Sequence, residues 1–131
     1  MLALPIGWNR ERELHTAGIR TFPIVALGSC GLVLVAQAVP GASSSDVSRV
    51  LQGLVTGIGF VGGGAILKDK VTVGGTATAA SIWSVGIASA AVGLGAYHVA
   101  IALSAVAFLT LKLLAPVKRN LDVDDSEKGR E

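Results

Sequence analysis

Asp46 and Arg49 stand three residues apart at the edge of a long uncharged run, a spacing that can bring a carboxylate and a guanidinium together on one helix face. Two chemistries fit that pair. It can be a helix cap with a neutralising partner at an interface, or Asp46 can contribute to a cation or proton site, because ionisable groups at membrane depth are functional candidates. A hard divalent metal would want several oxygen ligands, preferably carboxylates. No second acid accompanies Asp46 in the apolar runs, so it is the one metal candidate and an incomplete one. Gly57-Ile-Gly59-Phe-Val-Gly62 has the letters of a dinucleotide-binding loop. It fails on context, because no amphipathic helix follows and Asp69 comes far sooner than an acid that would hold a ribose. Gln37, Gln52, Thr56, Thr78, Ser81, Ser84 and His98 are uncharged polar groups in or near the apolar runs. They suit hydrogen bonds between helices; the sharper alternative is a polar pathway in which Asp46 and Thr56 serve a transported cation. Arg10-Glu11-Arg12-Glu13, with Arg20 beyond, reads as a solvated face of alternating charge or as a docking surface for a partner protein. Ser, His and Asp all occur, yet no nucleophile elbow, metal-ligand spacing or acid pair appears, so neither catalysis nor a cofactor is expected.

The elements that must position these residues follow from where the charges lie. Of 131 residues 51% are hydrophobic and only 15% charged, against about a quarter charged in an ordinary soluble domain. The charges are bunched and leave four uncharged stretches. A helix crossing a hydrocarbon core needs roughly 20 residues, and the stretches predict spans at about 22–40, 50–67, 76–95 and 97–115, with Lys112 reaching the interface along its stem. None shows a polar face at helical period, as a soluble surface helix would. The expected fold is therefore all-α: a polytopic transmembrane helical bundle over residues 1–115, followed by a short polar cytoplasmic tail at 116–131 with no fold of its own. With these spans, Arg10, Arg12, Arg20, Lys68, Lys70, Lys112, Lys118, Arg119, Lys128 and Arg130 fall on one side and Arg49 alone on the other. That asymmetry places both ends in the cytoplasm. A net charge of +2 without a basic patch excludes nucleic acid as the expected partner. Cys30 is the single cysteine and reads as a small packing residue.

Connections and packing can be read locally. Residues 5–21 read as a charged cytoplasmic loop. The serines of 41–46, with Asp46, are N-cap candidates for a helix beginning near Val47. Gly93, Gly95 and Tyr97 make so short a turn that the last two spans must be antiparallel neighbours. Gly53 with Gly57, and Gly59 with Gly63, are small-xxx-small pairs that favour close helix crossing. Those glycines, answered by Ala79, Ala80, Gly86, Ala90 and Ala91, make the second and third spans the expected packed centre. Trp83 reads as a packing anchor, Trp8 and Tyr97 as interfacial residues.

Several blocks in order resemble the MgtC/SapB family of bacterial inner-membrane proteins. Gly7-Trp8-Asn9-Arg10-Glu11, Ala17-Gly18-Ile19-Arg20-Thr21 and Leu27-Gly28 resemble its opening, where Gly-Leu-Glu-Arg-Glu precedes Ala-Gly-Leu-Arg-Thr-His. Asp46-x-x-Arg49, Gly57-Ile58-Gly59-Phe60-Val61-Gly62 and Ile66-Leu67 resemble its second block. Thr78-Ala79-Ala80-Ser81-Ile82-Trp83, with Gly93, Gly95 and Tyr97, resembles the third. The resemblance implies an inner-membrane protein linked to magnesium homeostasis at low magnesium and, in pathogens, to survival inside host cells and virulence. It implies a regulatory role through other membrane proteins such as the F-type ATP synthase, with homo-oligomers possible in principle and magnesium or other cation transport as the alternative. Arg10, Glu11, Arg20, Asp46, Arg49, Thr56 and Thr78 are the functional candidates under that reading. Asn9, Phe22 and Ala77 depart from the family's Glu, His and Thr. The family's usual architecture has a complete span before the Gly7 motif, so with six residues ahead of Gly7 that first span is expected to be truncated here.

Overall fold

The computed structural model describes residues 3–14, 20–68 and 73–128. Five helices carry the fold: α1 (Ala3–Leu14), α2 (Thr21–Ala38), α3 (Ser44–Gly64), α4 (Thr76–Gly93) and α5 (Tyr97–Lys128). Between α3 and α4, β1 (Leu67–Lys68) and β2 (Val73–Gly74) form a two-residue antiparallel ladder, with Leu67 opposite Gly74. Among the described residues three helices are long and apolar enough to cross a membrane: Thr21–Ala38, Thr76–Gly93 and the Tyr97–Leu114 part of α5. The second expected span, 50–67, corresponds to α3, which starts six residues earlier on Ser44, Ser45, Asp46, Ser48 and Arg49, stops at Gly64 and is not among those three. Those polar residues and the glycines lower its apolarity, and Ile66 and Leu67 fall outside it.

The bundle is apolar outside as well as inside, unlike a protein in water. Ser29, Thr78, Ser81 and Ser104 are buried, while Ile24, Leu27, Phe60, Val106 and Leu113 face outward. An apolar surface over a core that contains hydroxyls suits helices surrounded by lipid. α4 is the hub: half of it is buried, against 22% of α2 and 11% of the Tyr97–Leu114 part of α5. It packs most extensively on α2 and also on α3 and α5. The expected centre, second span against third, is thus corrected to α4 against α2. The reason is side-chain shape: Val33 and the Cys30 carbonyl sit where a Cβ on Gly93 would be, so the two helices meet backbone to side chain.

Turns follow the sequence closely. Ser43 is the N-cap of α3, and Asp46 completes the reciprocal capping box. The α4 helix ends in a Schellman motif: Ala96 N–H bonds Ala91 C=O at 2.8 Å, Gly95 N–H bonds Val92 C=O at 2.9 Å, and Gly95 takes φ +76°. α4 and α5 are therefore packed neighbours joined by a tight turn, as expected. Gly75, at φ +81°, starts α4 directly against the Ala65 carbonyl.

Two polar segments differ from expectation. The charged stretch expected as a loop is helical from Ala3 to Leu14, because its Arg, Glu and Leu residues are good helix formers; Ala3 and Ile6 bury its inner face. The helix of the last span does not stop near 115 but runs through the polar tail to Lys128.

Candidate functional site

Asp46 is the candidate with the fullest geometry. The Gly41 turn (φ +77°) delivers Ser43 in extended conformation to the start of α3. Ser43 Oγ donates to Asp46 Oδ2 at 2.6 Å, Ser43 N–H donates to the same oxygen at 2.9 Å, and Asp46 N–H returns a bond to Ser43 Oγ at 3.3 Å. The Ser43 hydroxyl also lies 2.7 Å from that of Ser45. The hydroxyl bond above all, and then the backbone bond, hold the exposed Asp46 carboxyl below its ordinary value of 3.8. A carboxylate at N3 is also favoured by the helix dipole. Asp46 is turned back toward its own N-cap, and among the described residues no ion pair joins it to Arg49, which lies exposed one turn on. The pairing expected from their spacing is therefore corrected: the cap has the stronger claim on the carboxylate.

The rest of the candidate set is dispersed. Thr56 is exposed on α3, and its hydroxyl donates to the Gln52 carbonyl at 3.0 Å. Ten residues separate it from Asp46, about 15 Å along a helix, so the two do not form one cation site. Among the described residues no three His, Cys, Asp or Glu side chains gather into a group that could hold a metal. Arg20 is exposed at the N-cap position of α2. Arg10 and Glu11 lie on the backbone of α1, and their side chains are outside the described residues. Thr78 is fully buried in the first turn of α4, with its hydroxyl unpartnered, an arrangement that costs about 1–3 kcal/mol.

Three of the polar groups expected to bridge helices, Thr56 among them, satisfy themselves locally. Ser81 and Ser84 donate to the carbonyls of Ala77 and Ala80, one turn earlier, at 2.6 and 2.9 Å. Gln37 is the group that crosses: its Nε2 donates to the Gly93 carbonyl at 3.0 Å and ties the C-terminal ends of α2 and α4 together. Within the chain, the expected packing glycines are not the ones that neighbouring helices approach. Gly53, Gly57, Gly59 and Gly63 face open space within this chain; a Cβ on Gly62 would crowd the Ala79 carbonyl, and Gly86 receives Ile58. The missed signal was the seven-residue spacing of Gly86 and Gly93 on one face of α4. Trp83 likewise points outward, 46% exposed, rather than anchoring the core.

The comparisons with known proteins agree with the pattern of blocks. The MgtC family model matches residues 1–120. The chain belongs to the MgtC family. It is 36% identical over 126 residues to protein SrpB of Synechococcus elongatus, covering 87% of this chain and 68% of that one. It is 37% identical over 128 residues to protein MgtC of Brucella abortus, covering 95% of this chain and 51% of the relative. The Escherichia coli protein named "Putative magnesium transporter YhiD" is 32% identical over 114 residues, 82% of this chain and 53% of its own. The chain thus spans about half to two thirds of the length of these relatives. No solved structure matches it significantly. Family membership and the three apolar helices make this an MgtC-family membrane protein.

Proposed function

We propose that this membrane protein is a non-catalytic regulator in adaptation to low magnesium or intracellular stress, acting through other inner-membrane proteins rather than conducting an ion. The observation that carries this reading is the closure of Asp46 into the capping box. Both hydrogen bonds to its Oδ2 come from Ser43, and the carboxylate acts as a structural group at the start of α3. In this proposal α3 from about residue 50 onward is the second of four spans, with its polar first turns outside the membrane, both ends of the chain are cytoplasmic, and the membrane is the bacterial inner membrane. Arg10, Glu11 and Arg20 then sit on the cytoplasmic side, where a partner such as the F-type ATP synthase, or a second copy of the chain, would dock.

The name carried by the Escherichia coli relative favours a second reading, magnesium transport. Proteoliposomes separate the two. Magnesium influx no greater than in empty liposomes, for wild type and for Asp46→Ala alike, is the expected result. Saturable influx abolished by Asp46→Ala would sink the regulatory reading. Crosslinking of membranes to a wild-type or Arg20→Glu protein supplies the positive arm: the regulator loses its crosslinked partner on charge reversal.

A further inference from the structure

A cavity of about 440 Å³ opens between α1, α2, α4 and α5, within the roughly 300–1,000 Å³ typical of ligand pockets. Leu27, Val85 and Val92 give it apolar walls, and one polar group from each of three helices reaches it: Cys30 of α2, Ser89 of α4 and Ser104 of α5. The hydroxyls are the informative part. In this bundle Ser48, Thr56, Ser81 and Ser84 each donate to the carbonyl one turn earlier. Ser89 and Ser104 do not, and among the described residues neither has a hydrogen-bond partner. Two free donors therefore converge on an apolar cavity in helices built to face lipid, where an unsatisfied polar group is costly.

We infer that this cavity is a lipid site: it takes one acyl chain of a glycerophospholipid, whose ester carbonyl accepts a hydrogen bond from Ser89 or Ser104. Depth fits that occupant. Ser89 lies four residues before the end of α4 and Ser104 seven residues after the start of α5, so at 1.5 Å per residue both sit about 6–10 Å below the connecting turn. An ester carbonyl at the top of an acyl chain reaches that level, and the chain then fills the apolar space between Leu27 and Val85. The site is separate from Asp46 and from the cytoplasmic charges, and it holds whether the protein regulates a partner or conducts an ion.

The test uses the full chain in nanodiscs of phosphatidylethanolamine and phosphatidylglycerol doped with a phospholipid carrying a diazirine on its acyl chain. After irradiation, label is mapped by peptide mass spectrometry, and Cys30, the single cysteine, reports access through its alkylation rate. Label is expected to concentrate on residues 23–30 and 85–92, and to fall about fivefold in Ser89→Ala/Ser104→Ala, the effect of losing a hydrogen bond of ordinary strength. Leu27→Trp, at an exposed position on the cavity wall, should block labelling and slow Cys30 alkylation without entering the core. Val106→Trp, exposed elsewhere on α5, should leave both unchanged. Label spread evenly over all exposed apolar faces, label unaffected by both cavity variants, or crosslinks from Leu27 to a second polypeptide in place of lipid would each overturn the proposal.

Discussion

The α3 and α4 helices draw on the same small residues and place them oppositely. In α4, Gly86 receives the Ile58 side chain and Gly93 receives Val33, so the missing side chains are what bring three helices together. In α3 only Gly62 does this; Gly53, Gly57, Gly59, Gly63 and Gly64 open outward beside Thr56 and Phe60. The difference teaches that a small-xxx-small pair marks a helix able to be approached closely, while the approach itself depends on what stands opposite. α4 is central, with a neighbour on nearly every side; α3 turns one row, Leu54, Ile58 and Gly62, inward.

That contrast can be broken most severely at the joint between the two helices. Gly75 holds φ +81°, and a Cβ there would overlap the Ala65 carbonyl, so Gly75→Ala should destabilise by more than about 2 kcal/mol, from left-handed strain and from the clash. Thermal unfolding in detergent measures it. A matched pair then sharpens the comparison. Gly86→Val drives a side chain into Ile58 and should cost about 1–3 kcal/mol, whereas Gly57→Ala on the open face of α3 should be neutral or stabilise by up to about 1 kcal/mol. Equal losses at the two positions would show that the outer face of α3 is covered in the membrane. Gln37→Leu removes the bond to the Gly93 carbonyl and should lower stability by about 1 kcal/mol, with hydrogen exchange rising at the C-terminal ends of α2 and α4.

The smallest effect concerns the α3 cap and its pH dependence. The Asp46 carboxyl is held below 3.8 in the folded chain by Ser43. A group with a depressed folded value contributes stability that is fully present above its unfolded value and is lost as pH falls through the folded one. α3 helicity should therefore be flat above about pH 4 and decline below it. Ser43→Ala should cost about 1 kcal/mol at neutral pH and flatten the acid limb; an unchanged acid limb would assign the pH response to another carboxylate.

Local physics wrote much of this molecule into its sequence. Long uncharged runs demand helices, because in lipid a backbone must satisfy its own hydrogen bonds, and three of them have the length and apolarity to cross. Ser43 and Asp46 at a three-residue offset specify a capping box, and Gly95 specifies a left-handed helix end, since both motifs close within one or two turns. The family, too, was legible, from residue blocks that lie within continuous segments. What required the tertiary structure was every question of facing. Nothing in the spacing of Gly53, Gly57, Gly59 and Gly63 says that Val33 and Ile58 would meet Gly93 and Gly86 instead, because helix-to-helix contact depends on the partner's side chains. The choice of Asp46 between Ser43 and Arg49, of Ser81 and Ser84 for their own carbonyls, and of Ser89 and Ser104 for an open cavity is of the same kind. A polar group takes the nearest well-aligned partner, and only the assembled bundle decides which partner is near.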